Sequence, residues 1–209
     1  MAGILDLLNS DLGKSLISGA SSYLGQGKEQ TGSGLSAALP LILGALKNNT
    51  ATSGGAEGLL GALSKDKHDG SILDNLGDML GKEDTLKDGA NILGHVFGGK
   101  EQSVAQAVSA KSGLDLGKSM DLLKMAAPVI MGLLGKQSRQ NNVADGGGLD
   151  NLLGGLLGGG NQAKEGQSLI TKILDANGDG SIIDDVMGMV TGSNKGGLGS
   201  ILGGLFGGK

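Results

Sequence analysis

The chain has 209 residues, a formal net charge of −4 and 17 Lys and Arg scattered without a basic run, so it lacks the electrostatic footprint of a nucleic-acid binder. It has no Cys, which excludes disulfides and thiolate metal sites and fits a reducing compartment. With no Trp, one Tyr, two Phe and 43 Gly, a core must be built from Leu, Ile, Val, Met and Ala on helices with many caps or close approaches.

The first residues, Met1 to Asp11, have neither a charged start nor a continuous apolar stretch, so they do not read as a signal peptide, and the cytoplasm is the expected compartment. Apolar residues then recur at three- and four-residue spacing through Ile4, Leu5, Leu7, Leu8 and Leu12, and again through Leu16, Ile17, Ala20, Tyr23 and Leu24. Both patterns predict amphipathic helices. A long apolar run from Leu35 to Leu46 carries Pro40, and a second, Met125 to Leu134, carries Pro128. Each falls short of the roughly 18 to 20 residues needed to span a bilayer, so both read as buried helices. A proline there predicts a kink or restart, or else the first turn of a helix beginning near residue 40. Val104, Ala107 and Val108 continue the helical period, and strand patterning is nearly absent. The fold class is therefore all-α, made of short helices. Asn141 to Gly148 reads as a loop and Gly158 to Gly166 as a flexible insertion.

The chain also repeats itself. Residues 91 to 100, Asn-Ile-Leu-Gly-His-Val-Phe-Gly-Gly-Lys, are echoed by residues 200 to 209, Ser-Ile-Leu-Gly-Gly-Leu-Phe-Gly-Gly-Lys. Asp69-Gly70-Ser71-Ile72-Leu73-Asp74 returns as Asp179-Gly180-Ser181-Ile182-Ile183-Asp184, and the runs around Pro40 and Pro128 align at an offset of 88. The expected organisation is a tandem duplication of a small multihelical unit about a pseudo-two-fold axis. The first repeat is 1–100; the second is 101–209, with a Gly-rich insertion at about 144–166.

The two Asp-Gly-Ser motifs differ in what precedes them. Asp175-Ala176-Asn177-Gly178-Asp179-Gly180-Ser181 sets oxygen side chains at positions 1, 3 and 5, glycine at 6 and Ser181 at 7, which is the opening of an EF-hand loop (175–186) between two helical patterns. A hard cation needs such converging oxygens and the sharp turn that gathers them. Position 12 is Val186 rather than Glu, so Asp184 and Asp185 are the substitutes, Asp185 the better one, and Ca2+ would bind more weakly than at a sensor site. In the first repeat Lys65 and Lys67 occupy the positions of Asp175 and Asn177 and would repel a metal. What the repeats share reads as a capping box, Ser71 with Asp74 and Ser181 with Asp184, after a glycine turn. The expected metal ligands are thus Asp175, Asn177, Asp179, Ser181, Asp184 and Asp185, in the second repeat alone.

His68 and His95 read as surface or core histidines, and Lys136 with Arg139 as a solvated helix end. No catalytic constellation emerges, and no cofactor-binding motif: Gly146-Gly147-Gly148 lacks both the preceding strand and the following Lys-Ser/Thr of a phosphate loop. The Ala-Ala-Leu-Pro-Leu-Ile-Leu-Gly run at 37 to 44, its partner at 126 to 132 and the Asp-x-Asn-Gly-Asp-Gly-Ser-x-x-Asp-Asp stretch at 175 to 185 resemble the bacterial domain-of-unknown-function 937 family, related to the YidB-like helical proteins. The resemblance implies a multihelical fold with no assigned activity. The expectation is a non-enzymatic structural or interaction module that self-associates and holds one calcium ion, with no small-molecule substrate. The alternative is a membrane-surface protein using its Leu/Gly-rich segments as amphipathic anchors.

Overall fold

A computed structural model describes residues 4–158, with side-chain burial from residue 6 on; the EF-hand-like loop and the closing echo lie outside the described residues. Among the described residues the chain is all-helical. In order come α1 (Ile4–Asn9), α2 (Asp11–Leu24), α3 (Lys28–Thr50) and α4 (Ser53–Leu63), then a 3₁₀ turn (Asp66–His68), α5 (Ser71–Asp74) and α6 (Leu76–Met79). They are followed by α7 (Glu83–Phe97), α8 (Glu101–Ser112), α9 (Leu116–Gln140) and α10 (Gly146–Leu156). The buried side chains of both halves, from Leu16 to Leu156, form one continuous cluster.

The expected break at the prolines does not occur. Pro40 lies inside the 23-residue α3 and Pro128 inside the 25-residue α9, so the short-helix expectation fails for the two central elements. Proline removes one backbone bond and strains one turn, a penalty of about 3 kcal/mol in an isolated helix interior. Burial along both helices offsets it: Leu35, Ala38, Leu39 and Ile42 are essentially inaccessible, as are Leu122, Leu123, Met125 to Ala127 and Leu134. The stretch expected as a loop to Gly148 is also shorter. Asp145 caps α10 by accepting from Gly148 N at 2.7 Å, which turns Gly146-Gly147-Gly148 into the helix's first turn.

Positions 88 apart take the same local roles. Gly25 and Gly113 both end a helix in the left-handed conformation, at φ 61° and 74°, a geometry glycine enters without a Cβ penalty. Gly27 and Asp115 then sit at the N-caps of α3 and α9. Leu16, Ala20 and Leu24 are buried on α2 as Val104, Val108 and Ser112 are on α8. Thr31 and Ser119 each bury a hydroxyl without a hydrogen-bond partner. At the α3–α9 contact Gly34 meets its own counterpart: a Cβ there would stand 2.6 Å from Leu122 Cδ2.

Candidate functional site

All six expected metal ligands, Asp175, Asn177, Asp179, Ser181, Asp184 and Asp185, lie outside the described residues. Their first-half counterparts are described, and they form a turn clamped onto α9. The 3₁₀ turn Asp66–His68 leads into Gly70, whose φ of 104° makes the reversal that directs the chain into α5. The capping box expected of Ser71 and Asp74 is not the device used. Gly70 occupies the N-cap without a side-chain bond, Ser71 is the first helical residue, and Asp69 Oδ1 accepts from Ser71 N at 2.7 Å. Asp69 wins because its carboxylate lies one residue before the turn and closes a short ring onto its own backbone. That backbone N–H, with the Ser71 hydroxyl and Arg139 adding to it, holds the Asp69 carboxyl below the usual carboxylate range.

The turn is tied down by an ionic clasp. His68 is buried, with Nδ1 donating to the Ala62 carbonyl at 2.8 Å and Nε2 facing Asp88 Oδ2 of α7 at 3.2 Å. Both ring nitrogens face oxygens, the Ala62 carbonyl on one side and the Asp88 carboxylate on the other. Lys67 Nζ pairs with the other carboxylate oxygen of Asp88. From α9, Arg139 donates to the Leu63 carbonyl at 3.1 Å and to the His68 carbonyl at 3.4 Å. Lys136 and Arg139 are exposed, as expected of a solvated helix end, but Arg139 also straps the turn at 66–70, and the Lys136 side chain packs against Gly70. The contact is tight, because a Cβ on Gly135 would strike the His68 carbonyl oxygen and one on Gly132 would stand 2.7 Å from Ile72 Cγ2.

Beside the clasp lies a cleft of about 870 Å³ between the end of α3, α4 and α7. Leu46, Leu59, Ile92 and Val96 give it an apolar floor, and Asn48, Asn49, Lys65, Asn91 and the exposed His95 give it a polar rim. Thr52, the one hydroxyl among the lining residues, is committed to capping α4, accepting from Gly55 N at 3.2 Å and donating to the Asn49 carbonyl. Among the described residues there is no cluster of three or more metal-ligating side chains, and no helix is long and apolar enough to cross a membrane.

The family model described as "Bacterial protein of unknown function (DUF937)" matches residues 6–137 and 140–209. The chain belongs to this DUF937 family. No curated protein and no solved structure matches it. Sequence reading found the DUF937 motifs but not the clasp, whose members are separated by 20 residues between His68 and Asp88 and by 71 between His68 and Arg139.

Proposed function

We propose that this DUF937 chain is a non-enzymatic helical module whose second half binds one calcium ion through Asp175, Asn177, Asp179, Ser181 and Asp185, with Asp184 as the alternative carboxylate. One observation carries the reading: the turn at 65–74 is held by a charged clasp, and none of the clasp's residues is repeated at the positions that correspond for the turn at 175–184. By the offsets of the sequence echoes, Asn177 stands where Lys67 does, Gly178 where His68 does, Gly197 where Asp88 does, and Ala51 where Arg139 does. The same turn in the second half gains Asp175 and Asn177. Four charged or ionisable partners are exchanged for a set of oxygens that a hard cation can gather. The backbone supports this, since Gly70 already makes the left-handed turn that an EF-hand asks of its sixth residue, the position of Gly180.

The module's role is structural: a bound ion fixes the second-half turn as ion pairs fix the first. Without a position-12 Glu the affinity belongs in the weak class of such sites, on the order of 10⁻⁴ to 10⁻³ M. Calorimetric titration of the full chain with Ca2+ should return one such site, and Asp175→Ala should remove its heat. Superimposable traces from the two proteins would refute the site.

A further inference from the structure

The two proline helices differ on one face. On α9, Met125, Pro128, Val129 and Gly132 are buried; Ile72 of α5 lies against Gly132, and α7 on α9 is the most extensive helix pairing among the described residues. The positions 88 earlier on α3 are Ala37, Pro40, Leu41 and Gly44, and all four are half-buried, with open space where a Cβ on Gly44 would point. This stripe is apolar, and at Pro40 it lacks the N–H that would hold the Ser36 carbonyl. On α9 the corresponding carbonyl, Lys124, is met by Gly89 of α7 so closely that a Cβ on Gly89 would collide with it.

We propose that residues 179–206 of the same chain cover this face of α3, as residues 69–97 cover α9. The segment outside the described residues is long enough and carries the same covering side chains in the same order. Ile182 corresponds to Ile72, which lies against Gly132. Ile201, Leu202, Leu205 and Phe206 correspond to Ile92, Leu93, Val96 and Phe97, all four of which are buried. At the same offset Leu198 stands where Gly89 does, so the backbone collar at Lys124 has no exact counterpart, and close approach to the Ser36 carbonyl falls instead to the flanking Gly196, Gly197 and Gly199. The contact of Gly34 with Leu122, residues 88 apart, is what a two-fold relation between the halves produces near its axis. Each half then lends its second part to the other's proline helix, and Ile182 seats on Gly44. This seating does not depend on a bound cation.

The absence of Cys from the chain makes the test direct. The full-length double variant Gly44→Cys/Ile182→Cys, under mild oxidation, should form an intramolecular disulfide, seen as monomeric mass with no free thiol. Persistent free thiols, or disulfide only between chains, would overturn the proposal, the latter by assigning the face to a second copy. A second readout does not require the disulfide. Leu41→Cys in the full chain should be alkylated about tenfold more slowly than in the same chain carrying Leu202→Asp, since seating must open before reagent enters. Equal rates would also overturn it.

Discussion

α3 and α9 share a proline at matching positions, a left-handed glycine before each N-cap and nearly the same length, yet the described residues enclose α9 over its central turns and leave one face of α3 half-buried. Their own sequences do not explain the difference, since Ala37, Pro40 and Leu41 are as apolar as Met125, Pro128 and Val129. What differs is the cover. A helix that presents apolar surface on all sides is built to be wrapped, and the largest share of the wrapping of α9 comes from α7, with α3 and α8 adding to it. The comparison also shows how the cover is fastened: by close backbone approach at Gly89, Gly132 and Gly135, and by a clasp of charged groups at its edge.

The strongest way to break the α9 side is to fill the backbone contact. In Gly135→Ala the new methyl group meets the His68 carbonyl oxygen, and neither partner is a side chain that can rotate away. A loss of about 3 kcal/mol is expected, the upper part of the usual range for overpacking, read as a fall in urea midpoint. Next in size is Asp88→Ala. It leaves the buried Nε2 of His68 without its partner and Lys67 without its ion pair, at a cost of roughly 2 kcal/mol. A variant with wild-type stability would show that the clasp carries no stabilisation. Third comes Gly44→Ala. On an uncovered helix this change would stabilise by up to about 1 kcal/mol; with Ile182 seated it should instead cost about that much. The sign of the shift in denaturation midpoint therefore decides between an open and a covered α3.

The all-helical class was legible because three- and four-residue spacing dominates and β-branched alternation is missing. Helix continuity through Pro40 and Pro128 was not, because proline's local penalty is visible in sequence while the burial that offsets it comes from residues tens of positions away. The same separation hid the clasp. Only proximity in space makes His68 a buried partner of Asp88 rather than an isolated histidine. The turn at 65–74 was located by its glycine, but its cap was misassigned: Ser71 and Asp74 fit the capping-box spacing, and Asp69 competes with it through a shorter ring.

The smallest expected effect isolates how the two central helices begin. Asp115 caps α9, accepting from Lys118 N at 2.9 Å, and that backbone bond, aided by the Lys118 charge, keeps its carboxyl below the ordinary value of 3.8. Gly27, at the same place on α3, has no side chain to offer, although its φ of −62° suits any residue and a Cβ there would meet nothing. Gly27→Asp should therefore give α3 the cap α9 already has, raising stability by a few tenths of a kcal/mol, the usual difference between Gly and Asp at an N-cap. A carboxyl depressed in the folded state contributes stability above its unfolded value, and loses it as pH falls through the folded one. The gain over the unmodified chain should thus be full at neutral pH, begin to fall near 3.8 and vanish as pH drops through the lower folded-state value, checked by paired thermal melts across the acid range. A gain that persisted at low pH would assign the effect to reduced freedom of the unfolded chain rather than to a cap, since replacing glycine stabilises by that route without regard to charge.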